Sequence, residues 1–506
     1  MGQVLSRGDS RPVTAEELQA IATMREALSQ LPVPTLQHRD NPHEYLFFAL
    51  LDGSGQDLNN PKLGPPTNIG ELAKQLQVMK NDPNHRIGGH YVEGIGAQNS
   101  GLVRVVDGLV AVTWDNGIKE MYREFAEQGA KWMRDDPQAQ IRVAGIGYSR
   151  GAVQDVGFHR LVDQYGVANP EGLKFGRDRH GNITIESSHP PLVPPGQVAQ
   201  VAPFFDPVAT NMPPNYDARI PRSVISSFSL LATNEQREWY PHQAINDLGM
   251  TADGRALTAP VPGGHANAGG GAREPGLEIL YGNAVIDYLN LLRDEPMFEK
   301  RPVPTDPAMF TVYQVRGVTA GFGWKMDQDG ERNLREELVN CKIVDPCRDS
   351  EPMDQALAAK FEYRHVQVDP LEQKQLQTLI EQARFEQTRS NQAQDALQVG
   401  ASLEPRGPAL PGVTLQPANL QLQSAFEVDR LFDRVFSAYM SDNPQTFRAV
   451  MTDYRQSDHG QAWGQQQQAF SQSMREQEQQ DALQQQGALA EQQRQEQVQR
   501  GPVMSR

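Results

Sequence analysis

Cysteine is almost absent from this chain, with two in 506 residues, Cys341 and Cys347. A disulfide framework therefore cannot hold the fold. No metal-ligand spacing accompanies the pair, which reads as two reduced structural thiols, although the short segment between them could close into a bridged loop. Long apolar runs are missing as well. The longest, Tyr45 to Leu51, is strand-sized, far short of the roughly 20 residues that span a bilayer as a helix. Concentrated positive charge is the third absence. The formal net charge is −16 and no Lys/Arg cluster interrupts it, which argues against nucleic acid as a partner, since phosphate binding needs clustered cations. The N-terminus lacks the charged-then-apolar layout of a secretory signal peptide. The expectation is a chain made in the cytoplasm, without a transmembrane segment, that leaves the cell by a signal-independent route. Met1-Gly2-Gln3-Val4-Leu5-Ser6 does fit the short pattern for N-myristoylation.

What is present is a pattern of apolar strand-like runs alternating with amphipathic helices, from about 41 to 300. It predicts an α/β fold with a mostly parallel sheet covered on both faces. Tyr45–Leu51, Gln140–Ile146, Val198–Phe205 and Ser223–Ala232 read as strands. Leu102–Met133, Ala152–Tyr165 and Glu278–Leu292 read as helices. Ahead of this region, residues 1–40 form an N-terminal helical segment. Thr14 and Glu17 are spaced to cap a helix over 14–31, and Pro32 and Pro34 stop it.

Beyond the sheet region the organisation loosens. Residues 301–398 read as a mixed or helical extension, with a strand over 309–318 and a polar helical stretch over 352–397. A Pro/Gly-rich linker occupies 399–420. The remainder, 421–506, reads as a helix over Glu427–Tyr439 followed by a glutamine-dominated tail. That tail cannot bury enough apolar area to offset chain entropy alone, so it is either disordered or a solvated helix needing a partner.

The residues that could do chemistry begin with Gly147-Tyr148-Ser149-Arg150-Gly151, the G-x-S-x-G pattern. An apolar strand precedes it and a helix-compatible stretch follows, the strand–turn–helix context in which a strained turn pushes a serine hydroxyl out of a sheet. A serine hydroxyl needs a base oriented by a carboxylate, in the chain order Ser, acid, His. Downstream lie His159, His180, His189, His242, His265, His365 and His459. His159 sits on the helix after the serine, whereas His265 lies in a Gly-rich segment, 262–271, that reads as a flexible loop able to present a base. Asp206 ends a strand on the same edge as Ser149, with Asp217 and Asp247 as alternatives. Asp52-Gly53-Ser54 ends the first strand, and backbone N–H groups of Gly53, Ser54 and Arg150 are placed to hold an oxyanion. This reading calls for no cofactor and no metal.

Taken in order, Asp52-Gly53-Ser54, Tyr91 to Gly96, Gly147 to Ala152, Phe205-Asp206-Pro207-Val208 and Gly263 to Gly271 resemble the catalytic domain of the phospholipase effectors of bacterial type VI secretion, within the α/β-hydrolase fold. The resemblance spans about 41–300. It implies Ser149 as nucleophile, Asp206 as acid and His265 as base. It further implies a secreted antibacterial toxin that hydrolyses acyl esters of membrane phospholipids and is met by a cognate inhibitor protein. The sequence departs from the family where Asn267 and Asn234 stand at positions usually acidic, and where Ser54 stands for threonine. The Gln-rich tail lies outside the resemblance. It is similar in composition to secretion-signal regions of type IV effectors, which implies contact with secretion machinery. Two other readings stay open: a serine esterase acting on a non-lipid ester, and a non-catalytic interaction protein with a decayed hydrolase core.

Overall fold

The structure is a computed structural model that describes residues 10–54, 56–59, 64–82, 85–95, 114–179, 181–208, 217–235, 243, 245–246, 248–313 and 351–401. Strand β1 (Ser10–Pro12) leads into helix α1 (Ala15–Leu28), and the helix starts where the sequence places its cap. Thr14 Oγ1 accepts the Glu17 N–H, and the Glu17 carboxylate accepts the Thr14 N–H in return, so two orphan donors of the first turn are satisfied reciprocally. Leu18, Ile21, Met24 and Leu28 fall on one stripe and are buried. Short strand β2 (Pro32–Pro34) follows.

The sheet grows from β3 (Glu44–Leu51). Its continuous apolar run suits a strand covered on both faces. Side chains alternate, so Leu46, Phe48 and Leu50 join one core while Phe47, Ala49 and Leu51 join the other. Helix α2 (Asn68–Met79), capped by Thr67 Oγ1, and strand β4 (Ile87–Val92) come next. They are followed by helix α3 (Trp114–Asp135), strand β5 (Gln140–Tyr148) and helix α4 (Arg150–Tyr165). A small hairpin, β6 (Lys174–Arg177) with β7 (Ile183–Glu186), precedes β8 (Gln200–Phe205) and β9 (Val224–Ala232). Then come β10 (Gly249–Met250), β11 (Ala256–Val261), a one-turn helix α5 (His265–Gly269) and helix α6 (Gly276–Asn290).

These strands make a seven-stranded sheet in the order β10-β11-β9-β8-β5-β3-β4. All neighbours are parallel except the short edge strand β10, which runs antiparallel to β11. Helices α3 and α4 cover one face through Tyr122, Phe125, Val153 and Phe158. Helices α1, α2 and α6 cover the other through Leu18, Leu72, Leu280 and Leu289. The mostly parallel sheet between helical layers is the architecture the alternating pattern predicts.

The N-terminal segment is tied to that same body. Strand β1 pairs with β12 (Thr311–Tyr313), and β2 pairs with β13 (Tyr363–His365). The stretch 352–397, expected as one helical run, is instead helix α7 (Gln355–Ala358), strand β13 and helix α8 (Pro370–Ala401). Pro370 starts the long helix, and the β2 pairing holds Tyr363–His365 extended, a long-range contact that local pattern does not encode. Helix α8 carries Leu376, Leu379 and Ile380 into the core beside α1. The helix expected over 102–133 is described from Trp114. Its first residues, Cys341, Cys347, the linker beyond Ala401, the 427–439 helix and the Gln-rich tail lie outside the described residues. Among the described residues no helix is long and apolar enough to cross a membrane.

Candidate active site

Strand β5 ends at Tyr148 and helix α4 begins at Arg150, leaving Ser149 alone to make the turn. It does so at φ 60° and ψ −130°, a region that non-glycine residues rarely occupy. The turn is braced from β8: the Ser149 N–H donates to the Phe205 carbonyl at 3.0 Å, and the Val208 N–H donates to the Ser149 carbonyl at 3.2 Å. The two flanking glycines are required by close approach. A Cβ on Gly147 would run into the Ala152 backbone, and one on Gly151 into the Leu51 and Asp52 carbonyls.

Asp206 follows the last residue of β8, at the carboxyl end of a strand adjacent to β5, and is fully buried. It also holds a positive φ of 39°. Its Oδ1 accepts the Ala232 N–H from the end of β9 at 3.0 Å, and its Oδ2 lies 2.6 Å from His265 Nδ1. The other imidazole nitrogen, Nε2, lies 2.8 Å from Ser149 Oγ. The carboxylate on one side demands a proton on Nδ1, which leaves Nε2 as the acceptor facing the serine hydroxyl. The structure thus brings Ser149, His265 and Asp206 into one continuous hydrogen-bonded chain.

His265 is not on a loop, as the glycines around it suggest, but opens helix α5. The reason is local satisfaction of the first-turn N–H groups. The Gly264 N–H donates to Asn267 Oδ1 at 3.0 Å, and the His265 N–H donates to Glu235 Oε2 at 3.2 Å. Asn267 Oδ1 also accepts from the Tyr313 N–H at 2.9 Å, and its Nδ2 donates to the Thr311 carbonyl at 2.9 Å. Asn234 Oδ1 accepts the Gly263 N–H at 2.7 Å. Asn234 and Asn267 therefore both act as neutral braces of the histidine segment. No local pattern marks Glu235 as part of the site, because its contact with His265 spans 30 positions of sequence.

The remaining candidates separate clearly. His159 is buried in α4, where its Nδ1 meets Gln200 Oε1 at 2.7 Å. His189 faces Glu171, and His365 lies on β13. Asp217 forms ion pairs with Arg160 and Arg219. Burial raises its pKa, but the Arg219 hydrogen bonds and the Arg160 charge outweigh burial and hold the carboxyl below its ordinary range. His180, His242, His459 and Asp247 lie outside the described residues.

The expected oxyanion loop needs one correction. The Gly53 N–H is turned onto Asp52 Oδ1 at 2.7 Å, so it is engaged away from any substrate. Asp52 also accepts from Thr67 Oγ1 and from the Tyr91 hydroxyl, each at 2.8 Å. Burial pushes its pKa up to about 6 against those three stabilising hydrogen bonds. The arrangement pins the loop after β3 to α2 and β4. Arg150 Nε donates to Ser54 Oγ, which ties the same loop to the start of α4. Of the three donors expected, the Ser54 and Arg150 N–H groups remain as candidates. Among the described residues no group of three or more His, Cys, Asp or Glu could hold a metal ion.

No curated protein matches this chain. Among solved structures it is similar to an uncharacterized protein from Pseudomonas aeruginosa, at 14% identity and a TM-score of 0.31, over 60% of this chain and 52% of that one. It is also similar to the Tle1 effector solved bound to the VgrG spike of the type VI secretion system, at 16% identity and a TM-score of 0.28, over 48% of this chain and 52% of that one. The chain thus spans about half the length of each of these structures. Residues 47–178, from β3 through Ser149 to the β6 hairpin but short of Asp206 and His265, match the family model described as T6SS, phospholipase effector Tle1-like, catalytic domain, and that is the family this chain resembles.

Proposed function

We propose that this chain is a serine hydrolase that cleaves acyl esters of membrane phospholipids, as an antibacterial effector delivered into target cells by type VI secretion. The observation that carries the chemistry is the single imidazole of His265 set between Ser149 Oγ at 2.8 Å and a buried carboxylate, Asp206, at 2.6 Å. The substrate class and the delivery route are supported by the family match over 47–178.

In this reading His265 Nε2 removes the Ser149 proton as Oγ attacks the acyl carbonyl. The negative charge on the carbonyl oxygen is held by the Ser54 and Arg150 N–H groups. Asp206 keeps the proton on Nδ1 and stabilises the imidazolium without taking its proton. Collapse of the intermediate expels the lysolipid alcohol, which receives the proton from Nε2. Water, deprotonated by the same nitrogen, then releases the fatty acid and restores Ser149. The products are a lysophospholipid and a free fatty acid. A producing cell exposed to this activity needs an inhibitor protein, and contact with the secretion machinery belongs to the same proposal.

The test offers purified protein two substrates side by side, phosphatidylethanolamine/phosphatidylglycerol vesicles and short-chain p-nitrophenyl esters, with lipid products analysed by mass. Lysophospholipid and fatty acid from vesicles are the expected result. Ester turnover with intact vesicles would move the function to a non-lipid esterase, and turnover of neither would leave a non-catalytic hydrolase core.

A further inference from the structure

The residue ahead of the turn serine bears on the site as much as the serine's own neighbours do. Tyr148, the last residue of β5, is buried, and its ring lies against the His265 imidazole with centroids 4.7 Å apart and planes 31° apart. That is a tilted stack within the range aromatic pairs favour. Its hydroxyl donates to the His265 backbone carbonyl at 3.2 Å. One side chain therefore holds both the ring and the main chain of the histidine.

The slot for this ring is formed by missing side chains. A Cβ on Gly53 would collide with one edge of the Tyr148 ring, and a Cβ on Gly269 with the other. The ring is thus clamped between the loop after β3 and the last residue of α5, in contact with three parts of the site. Three described groups meet His265 at its polar atoms: the Asp206 carboxylate on Nδ1, the Ser149 hydroxyl on Nε2 and the Glu235 carboxylate on the backbone N–H. The polar partners of the ring act at its nitrogen edges, while the π-face of Tyr148 is the aromatic contact. An aromatic face attracts a cation far more than a neutral ring, and at pH above the acid limb the imidazole becomes cationic as serine attacks.

We propose that Tyr148 is a positioning residue that fixes the His265 imidazole and favours its protonated form during attack by Ser149, an inference that rests on the serine-hydrolase reading above. The ring's attraction is greater in the transition state than in the resting enzyme, so it contributes to rate and not merely to binding.

The experiment is the pH dependence of kcat/KM on a short-chain ester for wild type, Tyr148→Phe, Tyr148→Leu, Tyr148→4-fluorophenylalanine and Tyr148→3,4,5-trifluorophenylalanine. Fluorination depletes the π-face while leaving ring packing nearly unchanged, so the series stays informative even if Tyr148→Leu misfolds. Tyr148→Phe should keep the acid limb at its wild-type position. Tyr148→Leu should lower kcat/KM by roughly 2- to 30-fold and move the acid limb to lower pH, because a less favoured imidazolium forms at lower pH. The fluorinated variants should shift the limb downward stepwise. A limb that stays fixed across the series, with rates following thermal stability alone, would show a merely structural ring and overturn the proposal. Fluorophosphonate labelling of Ser149 in the wild type separates the two levels. Labelling with a fixed limb refutes the role of Tyr148 only, whereas absence of labelling refutes the hydrolase reading and this inference with it.

Discussion

Replacing Asp206 with asparagine isolates one oxygen. Among the described residues the carboxylate accepts the Ala232 N–H on Oδ1 and His265 Nδ1 on Oδ2. An amide offers only one acceptor. If it stays on the Ala232 N–H, the NH₂ group faces His265 Nδ1, which must then accept instead of donate. The proton moves to Nε2, and the nitrogen facing Ser149 Oγ can no longer take its proton. The opposite flip preserves the tautomer but sets the NH₂ group against the buried Ala232 N–H, costing about 1–3 kcal/mol. The wrong-tautomer orientation is therefore favoured. An equivalent change in a serine-protease triad lowers kcat by about 10⁴, which corresponds to about 5 kcal/mol of transition-state stabilisation. The assay is kcat on a short-chain ester for Asp206→Asn and Asp217→Asn, each checked by circular dichroism. A near-normal Asp206→Asn would refute the tautomer argument. A dead, folded Asp217→Asn would transfer the acid's role to a residue that Arg160 and Arg219 engage here.

Gly147→Ala should destabilise the fold by roughly 1–3 kcal/mol through overpacking against the Ala152 backbone, visible as a lowered thermal midpoint, and an unchanged midpoint would contradict the turn geometry. Asp52 predicts a pH signature whose sign follows from its raised pKa. The folded protein binds the Asp52 proton more tightly than the unfolded chain does, so stability falls as pH rises from 3.8 to about 6. That shift amounts to about 3 kcal/mol for this buried group. In urea titrations from pH 4 to 7, the stability of wild type relative to Asp52→Asn should decline across that window and level off above it. A flat difference would mean that Asp52 ionises freely.

The elements legible in the sequence are those specified locally. The apolar run of β5, the two glycines and the following helix identify the turn at Ser149, and the Thr14–Glu17 cap marks the start of α1. Local pattern does not mark strands β4, with Gly88 and Gly89, and β11, with Pro260. Those glycines and that proline are poor strand formers that interrupt the apolar run, and pairing with β3 and β9 determines the conformation. Helix α2 lies outside the elements read from the pattern, although Thr67 caps it and Ile69, Leu72, Leu76 and Met79 share its buried side. In the site, the order Ser, Asp, His pointed to the residues that the structure places within hydrogen-bond distance. What sequence could not convey was contact across long separations. Glu235 turns the His265 segment into a helix, the Asp52 carboxylate withdraws the Gly53 N–H from the oxyanion loop, and the Tyr148 ring lies on the imidazole.

The central claim is that Ser149 is a nucleophile activated by His265. The most direct measurement is covalent labelling by a fluorophosphonate probe, with the modified peptide located by mass spectrometry, in wild type, Ser149→Ala and His265→Ala. The account predicts one adduct, on Ser149 in wild type, none in Ser149→Ala, and a rate of labelling reduced by several orders of magnitude in His265→Ala. An adduct on another residue, or equal labelling of folded Ser149→Ala, would contradict it.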